Sequence, residues 1–141
     1  MNKIYIGMII SAMFFVCCKK EEKKPGENLP MEIKIYITTY YPIQLITGSI
    51  TDLTDSTNTY EIGLDNASSL VFNYKKEIVE IEGNTELPSS VISIKIFEYV
   101  KVNYPNNFIT GWKRDEDEQE IELNNQVELV FDLNNVFLEV D

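Results

Sequence analysis

Hydrophobic and polar positions fall into successive regimes along the chain. Ile4 to Val16 is a nearly unbroken apolar run, residues 19–28 are polar and charged, and from Leu29 onward apolar positions alternate with polar ones. Ile62 and Leu64, Leu70 and Phe72, and Val79 and Ile81 share one phase of that alternation. Ile121 and Leu123, Leu129 and Phe131, and Leu138 and Val140 repeat it. Glu61, Glu80, Glu120, Glu122, Glu128 and Glu139 occupy the opposite phase. A period of two with one apolar phase predicts an antiparallel sheet with one dry and one wet face. Asp65-Asn66-Ala67-Ser68, Asn124-Asn125-Gln126 and Asn134-Asn135 have the chemistry of hairpin turns.

The alternation belongs to an internal repeat, with one copy over residues 29–83 and the other over 87–141. Leu29-Pro30 matches Leu87-Pro88, Tyr41-Pro42 matches Tyr104-Pro105, and Ile46-Thr47-Gly48 matches Ile109-Thr110-Gly111. Glu61-Ile62 matches Glu120-Ile121, Leu70-Val71-Phe72 matches Leu129-Val130-Phe131, and the order is kept throughout. Each copy reads as a helix followed by strands. In the second, Leu87-Pro88-Ser89 places proline near a first helical turn, and the proline of Asn103-Tyr104-Pro105 stops the helix. The matching stretch Pro30 to Tyr40 is rich in β-branched residues and would be a strand by propensity. Its match to the second copy predicts a helix instead. The expected fold is α+β: a tandem duplication of a helix-then-antiparallel-strands unit, with both helices on one face of the sheet.

The N-terminus changes the picture from a domain to an exported one. Met1-Asn2-Lys3, the apolar run and Cys17-Cys18 have the layout of a signal peptide ending at a lipidation cysteine, over residues 1–18. The run is too short to be a comfortable membrane span. Cys18 is the expected lipidation site, with the smaller Cys17 before it, and Cys17 is the alternative. A diacylglycerol thioether plus an N-acyl chain would anchor the protein stably. Residues 19–28 read as a disordered tether.

Beyond the tether, residues 29–141 suffice for one domain and carry no cysteine, so packing alone must stabilise it. The 141-residue chain has no histidine and a net charge of −11. The missing histidine removes Ser-His-Asp and Cys-His arrangements and the usual zinc ligand sets. The acidic balance disfavours nucleic acid. No enzymatic activity and no cofactor are expected.

The tandem pattern Leu-Pro, Tyr-Pro, Tyr60-Glu61-Ile62-x-Leu64, Leu70-x-Phe72 and Val79-Glu80-Ile81 behind a lipoprotein signal resembles the PepSY-like, β-lactamase-inhibitor-like periplasmic lipoproteins of Bacteroidetes. The resemblance covers residues 29–141. It implies helix-then-strand units side by side, with the helices on one face of a curved antiparallel sheet. It fixes no activity, because fold analogy is a weak warrant for function. The chain departs from the family pattern in a longer second helix region and in Asn135, which stands for the usual glycine of the last hairpin. Asparagine tolerates the left-handed backbone such a turn needs. Lys20-Glu21-Glu22 resembles the tag that sends some lipoproteins of this group to the cell surface, and equally reads as a charged tether. The expected location is the cell envelope, as an outer-membrane lipoprotein on the periplasmic side or the cell surface.

Few residues stand out as chemistry. If Ile109 faces the core, strict alternation puts Thr110 and Trp112 on the wet face, beside Lys113 and Arg114. Trp112, Lys113, Arg114 and Thr110 are therefore the candidate partner-binding residues. The competing reading is an aromatic packed under a loop. Asp115-Glu116-Asp117-Glu118 could offer calcium its hard oxygens, with Asp115 and Asp117 as the weak metal candidates. It lacks the glycine and ligand spacing of an EF-hand loop, and a solvated hairpin tip is the simpler account. Tyr41-Pro42 and Tyr104-Pro105 read as helix stops. Glu61, Glu120, Glu122 and Glu139 lie on a flat wet face that gives no pocket for acid–base chemistry. The expected function is a non-enzymatic binding module contacting an envelope or cell-surface protein or peptide. Its alternative is an inhibitor or modulator of an exported protease or β-lactamase.

Overall fold

The computed structural model describes residues 24–52 and 59–141. The expected signal peptide with Cys17 and Cys18, residues 19–23 and residues 53–58 lie outside the described residues. Helix α1 (Met31–Tyr40) precedes strands β1 (Ile46–Asp52), β2 (Thr59–Leu64), β3 (Ser69–Phe72) and β4 (Ile78–Glu82). Helix α2 (Ile94–Asn103) precedes β5 (Ile109–Arg114), β6 (Glu118–Leu123), β7 (Glu128–Asp132) and β8 (Phe137–Val140). The strands form one 8-stranded sheet in chain order, every neighbouring pair antiparallel. The copies join where β4 pairs with β5, placing Glu80 opposite Lys113, Ile81 opposite Trp112 and Glu82 opposite Gly111.

The helix expected at Pro30 to Tyr40 is present despite its β-branched composition. Ile33 and Ile37, one helical turn apart, are buried in one cluster with Ile62, Leu70, Phe72 and Ile81 of the sheet. Ile96 and Val100 of α2 do the same beside Ile121, Leu129 and Phe131. Tertiary burial, at about 1.5–3 kcal/mol for each large apolar side chain, outweighs propensity differences of a few tenths. Edge-to-face contacts of Tyr36 on Phe72 and Tyr99 on Phe131, both with centroids 5.3 Å apart, repeat the helix–sheet packing in each half. The second helix begins at Ile94, not at the Leu87-Pro88-Ser89 segment. Leu87 is tied to the sheet through its N–H on Ile109 O (2.9 Å), which holds that segment out of the helix.

The β2–β3, β3–β4, β6–β7 and β7–β8 hairpins share one geometry. Leu64 N–H donates to Ser68 O and Ala67 N–H to Leu64 O. Asn73, Leu123 and Asp132 anchor the same pair of bonds in the other hairpins. Each turn then needs a left-handed residue, supplied by Ala67 (φ 63°), Lys76 (66°), Gln126 (66°) and Asn135 (66°). Asn135 thus takes up the left-handed position expected of it.

β-bulges correct the strict alternation read from the sequence. Register shifts fall between Ile46 and Gly48, and between Ile109 and Gly111. One extra residue reverses the parity that follows. Ile109 and Trp112 therefore share the core face, Trp112 opposite Ile81 and Ile121. Similar shifts opposite Phe72 and Phe131 turn Ile78 and Phe137 toward the core, in place of Val79 and Leu138. Residues 24–28 form a turn whose buried Gly26 (φ 78°) lies against Ile46.

Candidate functional site

The helices and core occupy one face of the sheet, and the side chains of the other face form cross-strand rows. One row runs across all 8 strands as Ile50, Glu61, Val71, Glu80, Lys113, Glu120, Val130 and Glu139. The next runs as Gly48, Gly63, Ser69, Glu82, Gly111, Glu122 and Glu128. At the junction of the copies these rows make a shallow polar depression lined by Glu80, Glu82, Gly111, Lys113, Glu120 and Glu122. Gly111 gives it depth, because the Glu122 side chain lies over the position a Cβ would take.

The carboxylates crowd one another. Partial burial pushes the Glu80 carboxyl above its ordinary range, neighbouring Glu82 adds to this, and Lys113 opposes it. Lys113 stands between Glu80 and Glu120 in the row.

The proposed contact residues are split between faces. Lys113 is exposed on the open face. Trp112 is on the opposite face, 9 % exposed, with its indole N–H donated to Gln119 Oε1 at 3.1 Å. The expectation that it faces the open side is thus overturned, for the reason of parity given above. Thr110 is the bulged residue, buried, with its hydroxyl 3.4 Å from Glu122 O. Arg114 is exposed at the end of β5, opposite Gln119 and off the open-face rows.

Asp115 and Asp117 lie at the β5–β6 hairpin tip. Asp115 Oδ1 accepts the N–H groups of Asp117 and Glu118, both at 3.1 Å, and these bonds hold its carboxyl below the usual range. That oxygen builds the turn. Among the described residues no group of three or more His, Cys, Asp or Glu side chains is placed to hold a metal ion. Tyr41 and Tyr104 are the C-caps of their helices, with N–H bonds to Ile37 O (2.8 Å) and Val100 O (2.7 Å), as expected of helix stops.

The arrangement is an acidic open face with Lys113 between Glu80 and Glu120. Sequence reasoning found its glutamates but not the central place of Glu82 and Gly111. The glycine repeated in Ile-Thr-Gly was the available signal, since glycine inside a strand often marks a bulge or a close approach.

A family model described as "putative beta-lactamase-inhibitor-like, PepSY-like" matches residues 15–80 and again 72–139. The chain belongs to the PepSY-like family. Matching twice, the PepSY-like model agrees with the internal duplication. Similar solved structures come from Bacteroides. One, from Bacteroides thetaiotaomicron and described as a "putative calcium-regulated periplasmic protein", is 25% identical with a TM-score of 0.78, covering 84% of this chain and 95% of its own. A protein of Bacteroides vulgatus described as a "putative periplasmic protein" is 26% identical with a TM-score of 0.71, covering 80% and 90%. Another from Bacteroides vulgatus, of unknown function, is 28% identical with a TM-score of 0.73, covering 81% and 92%. A comparison with curated proteins gave no match. Among the described residues of this PepSY-like chain, no helix is long and apolar enough to cross a membrane.

Proposed function

We propose that the chain is an extracytoplasmic binding module without catalytic activity, anchored at the cell envelope through a lipidated Cys18 and contacting a protein or peptide by its open sheet face. The observation that carries the reading is the pair of cross-strand rows, in which Glu61, Glu80, Glu82, Glu120, Glu122, Glu128 and Glu139 share one face with Lys113, flanked in its row by Glu80 and Glu120. Such a surface favours a partner bearing lysine and arginine, because complementary charge speeds encounter and selects partners. The periplasmic description of the similar structures supports the location.

Affinity capture from native envelope tests the face. The whole chain should recover a basic partner, released by salt. A variant with Glu80, Glu82, Glu120 and Glu122 changed to glutamine should not. Recovery of the same proteins by both would remove the open face as the contact surface. Metabolic labelling with an alkyne fatty acid tests the anchor: Cys18→Ala should lose the label and Cys17→Ala should keep it.

A second reading rests on the inhibitor-like description of the family. In it the module restrains an exported protease or β-lactamase. Purified protein should then slow at least one enzyme of a broad panel, and uniform failure would end that reading. The calcium-regulated description of the Bacteroides thetaiotaomicron protein suggests a modulator for either reading. Calcium screening the acidic face, without a built site, would weaken capture of a basic partner, and capture unchanged by calcium would exclude such control.

A further inference from the structure

The duplication supplies an internal comparison for the outer edge of β8. Strands β4 and β8 are equivalent: Ile78-Val79-Glu80-Ile81-Glu82 corresponds to Phe137-Leu138-Glu139-Val140-Asp141. Each is bulged at the same place against its preceding strand. Beyond β4 lies β5, whose Gly111, Trp112 and Lys113 stand opposite Glu82, Ile81 and Glu80. Among the described residues β8 pairs only with β7.

The side chains register the difference. Ile81 is 0% exposed beneath its neighbours, whereas Val140 at the equivalent position is 53% exposed and Leu138 is 52% exposed. The backbone is arranged alike. Gly83 N–H donates outward from the β4 side to Thr110 O, while Asp141 N–H donates inward to Glu128 O. Alternation along a strand then aims the N–H and C=O of Val140 away from β7, where a further strand would meet them.

We infer that the outer edge of β8 is a binding site for an extended segment of another protein, added antiparallel and carrying a small residue, an aromatic and a basic residue opposite Asp141, Val140 and Glu139. The β4–β5 junction is the template: the base meets Glu139, the aromatic covers Val140, and the small residue lies beside Asp141. A second copy of this chain fits poorly. Its β1 edge would bring Gly48, Ser49 and Ile50 to these positions, with neither base nor aromatic. Its β8 edge would set Glu139 and Asp141 against like charges. Strand addition of this kind draws affinity from main-chain bonds and specificity from alternate side chains. The site shares Glu139 with the open-face rows and otherwise lies at the sheet edge, away from Glu80, Glu82, Glu120 and Glu122.

The probe is a synthetic peptide with the sequence of residues 108–115, titrated into the whole protein by calorimetry, with NMR to locate contacts. Binding at one peptide per chain is expected, with shifts concentrated in β8. Val140→Pro, which removes the outward N–H and leaves the β7 bonds in place, should abolish it. Glu139→Lys should weaken binding several-fold, and a peptide with glutamate replacing its lysine should recover affinity for that variant. If Val140→Pro fails to fold by circular dichroism, the charge swap decides alone. No binding at millimolar peptide, or binding indifferent to both substitutions, would overturn the assignment. So would concentration-dependent self-association through β8, since the occupant would then be a second copy.

Discussion

Trp112 donates its indole N–H to Gln119 Oε1 across the β5–β6 pair at 3.1 Å, and both side chains are buried. Gln119 passes the connection on, its Nε2 donating to Asp132 O at 3.0 Å and to Asn135 Oδ1 at 3.3 Å. The pair therefore ties β5 to the last hairpin and closes one end of the core. Trp112→Ala should cost about 3–5 kcal/mol, the range for removing a large buried aromatic. Gln119→Ala should cost about 1–3 kcal/mol by leaving the indole N–H without a partner. Urea unfolding checks both. Native fluorescence checks the placement, because a buried Trp112 should emit at short wavelength and resist iodide quenching.

Glu80 sets an unusual pH response. Its carboxyl titrates above the ordinary value in the folded protein, first through burial and then through Glu82. The folded state thus binds this proton more tightly than the unfolded state does. The ionised group costs stability at neutral pH, and that cost disappears as pH falls through the raised value. Glu80→Gln should stabilise the protein at neutral pH, and the gain should shrink toward the ordinary glutamate range. Asp115 and Asp132 act oppositely. Backbone N–H groups lower their pKa, so their contribution is full above the ordinary aspartate value and is lost as pH falls through the folded one. Thermal melts across that range, with and without Glu80→Gln, separate the two effects.

The hairpin turns leave room for improvement. Ala67 holds φ at 63° and Gln126 at 66°, and neither has asparagine's tolerance of that region. Ala67→Gly and Gln126→Gly should each stabilise the protein by about 0.5–1 kcal/mol, relief of the left-handed strain exceeding the entropy glycine adds to the unfolded chain. Asn135→Gly should change little. Melting temperatures of the three variants give the comparison directly.

Legibility in the sequence followed the physical period. Helix α1 was readable only through the repeat, because its local composition favours a strand while Ile33 and Ile37 are held by tertiary burial. The glutamates of the open face were readable because polar alternation survives over β2, β6 and the end of β4. What failed was parity across an inserted residue. Counting from Ile109 put Trp112 on the wet face, and the bulge at Thr110 exchanges Trp112 and Lys113 between faces. Of the proposed contact set, Lys113 lies in the open-face rows. Glycine at the same place in both copies marked the slip, but a strand glycine alone does not say which residue is extra.

The glycines following the bulges give a matched test of the open-face geometry. Gly48 and Gly111 are equivalent in the repeat, yet their surroundings differ. A Cβ at Gly48 would meet nothing within 4 Å, whereas one at Gly111 would sit 2.9 Å from the Glu122 Cβ and 3.1 Å from its Oε2. The carboxylate end could swing aside, but the Glu122 Cβ is fixed to the backbone of β6, so the two strands must shift apart. Gly48→Ala should be neutral or slightly stabilising, since alanine loses less backbone freedom on folding. Gly111→Ala should cost about 1–3 kcal/mol as an overpacked contact. Unfolding midpoints of the two variants decide it. Equal effects would mean that Glu122 does not lie over Gly111 and leaves the depression at the junction of the copies open there.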